Sequence, residues 1–174
     1  MLETKINEGA HGYSDAPCVL THRTIRYRLK PLTKDNASWL YQTAGACRWL
    51  WNHFLAENQV KYRWHKLGMC EKPNPNFYSF CGQLKELRKE HEWLKDTSSI
   101  IARTACMRQS LAWKEFFKGT RGYPKFHARG RGAGFDILEP KDIKISHIKG
   151  KHYHIKFPKN KSKMLLIGLS LIHI

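Results

Sequence analysis

The sequence predicts an α+β fold, a helical module of about three helices inserted into a small, incomplete β-barrel. Three observations lead there. Residues 24–30, TIRYRLK, alternate apolar and cationic side chains with the period of a strand. Residues 33–119 carry apolar side chains at helical steps of three and four, in stretches separated by connectors. Beyond residue 140 the period returns to two, first in Ile143 and Ile145, then in Tyr153, Ile155 and Phe157. One early strand without a sequence neighbour needs partners, and the late strands can supply them.

Residues 1–23 show neither period and, with Gly9, Gly12 and Pro17, read as a loose leader. In the strand segment 24–32, Ile25, Tyr27 and Leu29 face one way and Arg26, Arg28 and Lys30 the other, until Pro31 ends the ladder. Thr33 can cap the first helix of a helical domain over residues 33–119. Its stripe of Leu40, Ala44, Cys47, Trp51 and Phe54 is widened by Trp39, Leu50 and Leu55, so the helix should be covered on more than one side. It is expected to run to about Lys66 and to stop at Gly68. The PNPN connector at 73–76 leads to a second amphipathic helix marked by Phe77, Phe80, Cys81, Leu84, Leu87, His91 and Leu94. Thr97 or Ser98 can cap a third helix, with Ile101, Ala105, Ala112 and Phe116 in its stripe and Gly119 as its stop.

Residues 120–163 begin with a loop too rich in Gly for regular helix, then form strands with a turn at Lys149 and Gly150. The last eleven residues, MLLIGLSLIHI at 164–174, hold no charged residue other than His173. So flat an apolar chain end is an aggregation hazard, and LSLIHI looks like translated read-through of a sequencing adapter. This tail is therefore expected to be artefactual.

Charge narrows the function. Lys and Arg number 31 against 14 Asp and Glu, a formal net charge of +17, which calls for a polyanionic partner. The excess gathers toward the C-terminal half, where residues 118–163 carry thirteen Lys and Arg against Asp136, Glu139 and Asp142. A membrane surface is disfavoured, because no basic amphipathic helix with a lipid-facing stripe and no spanning segment is present. Five cysteines without a CxxC pair argue for a reducing compartment, and a cytoplasmic location is expected. Cys47, Cys81 and Cys106 fall in apolar stripes and read as core residues.

Two candidate sites follow from side-chain chemistry. Arg48 and Asn52 share a face of the first helix with Gly45, whose missing side chain would let another backbone or a nucleic-acid strand come close. Arg48 could then take a phosphate or base edge and Asn52 a base or sugar; equally, the two could tie helix to helix as a buried pair. The loop over residues 121–131 offers Arg121, Lys125, Arg129 and Arg131 on a Gly-rich backbone that can approach phosphates. His152 and His154 share a strand face but lack a Cys or carboxylate to complete a metal shell. No Ser-His-Asp pattern, phosphate loop or converging carboxylate set suggests catalysis.

Several segments together resemble the N-terminal region of the TnpB (OrfB) family, insertion-sequence-encoded proteins related to the type V CRISPR effector nucleases. They are TIRYRLKPL, ACRWLWNHFLAE, LKELRKEHEWLKDTSS, LAWKEFFKG and GYPKF, in that order over about residues 24–163. The resemblance implies an RNA-guided DNA endonuclease, with a β-barrel wedge domain interrupted by a helical recognition domain often described as helix-turn-helix. Guide RNA and target DNA are the implied partners, and no membrane. The candidate nucleic-acid-binding residues are Arg26, Arg28, Lys30, Arg48, Asn52, Lys85, Arg88, Arg121, Tyr123, Lys125, Arg129 and Arg131. In the family a RuvC-like nuclease domain with a metal-binding carboxylate triad and a zinc ribbon follows. Divalent metal and zinc are expected only there, so this segment should bind nucleic acid without cofactor and without cleaving it. The GAGFDILEP stretch at 132–140 departs from the family's polar Ser and Phe stretch. The rival from another class is a stand-alone helix-turn-helix regulator that binds DNA as a dimer.

Overall fold

The computed structural model describes residues 27–130, 134–149 and 152–168. Chain order is β1 (Tyr27–Lys30), α1 (Lys34–Lys66), α2 (Phe77–Glu90), α3 (Ser99–Phe117), β2 (Lys144–Lys149), β3 (His152–Lys156) and β4 (Met164–Gly168), with short 3-10 turns at Glu92–Lys95 and Pro140–Asp142. The strands form one antiparallel sheet in the order β1-β4-β3-β2, open at β1 and β2. The helices are thus an insertion between the first strand and the other three, which is the α+β arrangement expected.

α1 starts where Thr33 can hold its first turn, the Thr33 hydroxyl accepting from the Asn36 N–H at 3.2 Å. Asp35 in the first turn and Arg63, His65 and Lys66 in the last complement the helix dipole. Gly68 ends the helix at φ +73, where the Gly68 N–H reaches the His65 carbonyl and the Met69 N–H the Trp64 carbonyl. That pair of bonds is the Schellman closure, and Gly119 repeats it after α3 with the Phe116 and Glu115 carbonyls. Asn76 caps α2, its side chain accepting from the Ser79 N–H at 2.9 Å.

Leu50, Phe54 and Leu55 of α1, Phe80 and Leu84 of α2, and Ala102, Cys106 and Trp113 of α3 share one core. Full burial of a side chain such as Phe54 contributes about 1.5–3 kcal/mol each. α1 reaches the sheet through Asn36, which is fully buried. Its amide donates to the Lys163 carbonyl at 2.9 Å and accepts from the Ser162 hydroxyl at 2.8 Å. One turn on, Trp39 stacks on Phe157 and meets the edge of Phe135, sealing helix against sheet.

Two expectations need correction. The second helix was expected to continue through Leu94, but α2 stops at Glu90 and His91 turns extended at φ −113 and ψ 98. That break lets Leu94 fold back to full burial and sets His91 and Trp93 against Trp49. The apolar run from Met164, expected to be an artefactual tail, is strand β4 through Gly168, and it lies between β1 and β3. β4 carries apolar side chains on both of its faces, Met164 buried and Leu165, Leu166 and Ile167 partly so, and a single sequence does not separate such a run from a loose apolar end. Residues 169–174, the leader 1–23 and the Lys149-Gly150 turn at Gly150 lie outside the described residues.

Candidate nucleic-acid interface

Strand register assembles the first part of the site. Cross-strand partners point to the same face of a sheet. Arg28 pairs with Ile167, which pairs with His152; Lys30 pairs with Leu165, which pairs with His154. Lys144 of β2 stands opposite Lys156 of β3 on that same face, and beyond a register shift between His147 and Lys149, Lys149 stands opposite His152. One sheet face therefore collects Arg28, Lys30, Lys144, Lys149 and Lys156 around the apolar strip of Leu165 and Ile167. The other face carries Leu29, Ile155, Met164 and Leu166, and Ile155 and Met164 are buried. The alternation of β1 marks Arg28 and Lys30; Lys144, Lys149 and Lys156 escaped notice because register is not written in a single strand. Arg26 lies outside the described residues.

The basic loop is held to α1 by main-chain bonds. The Asn52 amide donates to the His127 carbonyl at 3.1 Å and accepts from the His127 N–H at 2.9 Å. Trp51 donates its indole N–H to the Lys125 carbonyl at 2.9 Å, and its ring stacks on the His127 imidazole at 4.5 Å between centroids. Both loop carbonyls are thus satisfied from one turn of helix while the Lys125, Phe126 and Arg129 side chains are exposed. Tyr123 roots the start of the loop, its ring edge-on to Trp113 and Phe116, and burial raises its hydroxyl above the ordinary pKa. Arg121 pairs with Glu115 at 2.8 Å. Arg131 lies outside the described residues.

Asn52 is accordingly a loop clamp, whereas Arg48, one turn earlier, is half-exposed at the mouth of a cleft of about 40 Å³. Cys47, Trp51, Arg108, His127 and Asp136 also line this cleft. Asp136 pairs with Arg108, and the Thr104 hydroxyl donates to the Asp136 carbonyl at 3.2 Å, so the segment after the loop is fastened to α3. Among the described residues Arg48 has no side-chain hydrogen bond or ion pair. Burial, with a smaller push from Arg108, holds His127 below its ordinary pKa. Burial also pushes the Cys47 thiol up to about 12, leaving it a neutral core group. Arg48 is thus the uncompensated cation of the cleft.

Gly45 sits one turn before Arg48, and a Cβ built there would meet nothing within 4 Å. A glycine inside a helix costs about 1 kcal/mol relative to alanine, and among the described residues no packing contact calls for it. Tyr41, a further turn back, is 79% exposed. Tyr41, Gly45, Arg48 and Asn52 follow helical spacing, so they form one stripe that leads to the loop. Lys85 and Arg88 belong to neither the stripe nor the sheet face. Arg88 donates to the Thr97 carbonyl at 3.1 Å, closing the turn after α2, and Lys85 lies exposed beside Glu86. Among the described residues no group of three or more His, Cys, Asp or Glu could hold a metal ion.

A strand, a long capped helix and a basic loop pinned to it define a small cationic α+β module. Residues 21–66 match the family model named HTH_OrfB_IS605, described as a helix-turn-helix domain. The chain is also 26% identical over 123 residues to InsQ of Escherichia coli (strain K12), whose name describes an RNA-guided DNA endonuclease. That match covers 71% of this chain and 29% of InsQ. The resemblance to the TnpB (OrfB) family is therefore found again by both comparisons. Within the described part of residues 21–66 the chain forms β1 and the single continuous helix α1, with α2 following after the 67–76 connector. No helix among the described residues is long and apolar enough to cross a membrane.

Proposed function

We propose that this chain is the nucleic-acid-binding N-terminal part of a TnpB-type, transposon-encoded RNA-guided system, taking guide RNA and target DNA as its partners. The observation that carries this reading is the register that gathers Arg28, Lys30, Lys144, Lys149 and Lys156 on one sheet face, while Ile155 and Met164 are buried on the other. Such a surface neutralises phosphates without reading bases, so it suits the backbone of a structured RNA or of an RNA-DNA duplex. The pinned loop adds Lys125 and Arg129 at a second edge of the same molecule. The reading assigns the chain no catalytic step, no metal and no cofactor.

Similarity to InsQ supports nucleic acid as the partner class. The whole activity named for InsQ would draw on length that this match does not cover. The rival reading, a stand-alone helix-turn-helix regulator, needs a helix whose first turn is free to enter a groove. In α1 that turn is occupied by the Asn36 bonds to Ser162 and Lys163, and α3 begins at the buried Thr97 and Ser98. That leaves α2, with Tyr78 and Ser79 exposed in its first turn, as the helix that reading would have to use.

The test is binding of a labelled RNA hairpin and a labelled DNA duplex by the wild-type chain and by the combined variant Arg28→Ala, Lys30→Ala, Lys144→Ala and Lys156→Ala. All four side chains are exposed, so the variant should fold. The expected result is weaker binding to every sequence, with a shallower dependence on salt. Unchanged affinity and salt dependence would remove the sheet face from the account. Tight, sequence-selective binding to duplex DNA alone would favour the regulator.

A further inference from the structure

We infer that Gly45 and Arg48 together form a seat for one phosphate of a nucleic-acid strand, with the bare turn of α1 at Gly45 allowing the sugar-phosphate backbone to lie against the helix. The inference rests on the proposed nucleic-acid function and deepens it by naming the group bound and the residue that admits it. Two independent observations meet here. The first is a helix-interior glycine with open space, among the described residues, where a Cβ would stand. Gly68 and Gly119 are explained by positive φ values at helix ends, whereas Gly82 of α2 stands in open space as Gly45 does. The gap at Gly45 therefore counts through its place one turn from Arg48 and the pinned loop.

The second is the state of Arg48. In the same cleft Arg108 is neutralised by Asp136, and the His127 imidazole is held toward its neutral form and stacked on Trp51. Arg48 therefore keeps a planar donor fork, half-exposed, one turn from the gap that Gly45 leaves. The exposed Tyr41 ring and the loop cations Lys125 and Arg129 extend the stripe at its two ends. A phosphodiester is the occupant that fits, because it brings an anion narrow enough to reach the helix backbone and needs no base-specific partner.

The test pairs Gly45→Ala with Arg48→Ala in the full chain, reading both the thermal midpoint and binding to an RNA hairpin and a DNA duplex, each in two unrelated sequences. If Gly45 is kept for an external strand, Gly45→Ala raises the midpoint by about 2–4 °C yet weakens binding. Such opposite signs are not expected of a glycine with a structural role. Arg48→Ala should weaken binding alike for all sequences and reduce the log-log salt slope by about one. A lowered midpoint for Gly45→Ala, or wild-type affinity in either variant, overturns the seat. If the sheet-face variant still loses binding in that case, the proposed function stands without it. A wild-type chain that binds neither probe overturns both.

Discussion

Asn52 illustrates how one side chain can decide where a whole loop lies. Its amide satisfies both the N–H and the carbonyl of His127, so Asn52→Ala removes two hydrogen bonds worth about 1 kcal/mol each and releases the loop from α1. A lowered thermal midpoint with a changed Trp51 emission is the expected outcome; an unchanged midpoint would contradict the clamp. Arg121 and Arg129 should differ in the same assay series. Arg121 is already paired with Glu115, so Arg129→Ala should cost more RNA affinity than Arg121→Ala. His127 contributes a pH dependence whose sign follows from its environment. Its folded pKa lies below the ordinary 6.5, so the unfolded chain takes up the proton first as pH falls. The associated stability is complete above 6.5 and is lost as pH drops toward the folded value. Thermal midpoints should therefore fall less on acidification in His127→Gln than in wild type. The spacing of Arg48 and Asn52 on one face was legible in the sequence, but their division of labour was not. The partner of Asn52 is a main-chain group 75 residues away, and no side-chain pattern encodes it.

Elements were legible where local chemistry sets them. Thr33 and Gly68 bound α1 because a capping hydroxyl and a left-handed turn are short-range requirements, and Thr33→Ala should cost about 1 kcal/mol. The end of α2 escaped because Leu94 continues the apolar stripe in sequence while reaching the core by another route in space. β4 escaped for the opposite reason. Its residues Met164 to Ile167 carry no alternation, because Leu165 and Ile167 put apolar side chains on the cationic face as Met164 and Leu166 do on the covered one. Met164 is 0% exposed on the covered face, so Met164→Ala should destabilise the chain by about 2–5 kcal/mol in denaturant unfolding. A loss within a few tenths of a kcal/mol would mean that β4 is not part of the folded sheet.

At the scale of the whole molecule, the helical insertion and the sheet are tied where Asn36 joins α1 to Ser162 and Lys163, where Trp39 packs on Phe135 and Phe157, and where Lys159 donates to the Lys95 carbonyl. Those ties fix how the cationic sheet face and the α1 stripe are presented to a common partner. A formal charge of +17 is a property of composition, but its gathering on an open sheet face and a pinned loop is a property of the fold. The charge and the strand and helix order were legible in the sequence. The register that puts Lys144 and Lys156 beside Arg28 and Lys30 needed β4 in its place. The measurement that tests the central claim most directly is the salt dependence of binding between the wild-type chain and a labelled RNA hairpin. The account predicts that log K falls linearly with log salt, steeply enough to count several phosphate contacts at roughly 0.7–0.9 each. No binding at low salt, or binding that salt leaves unchanged, would contradict it.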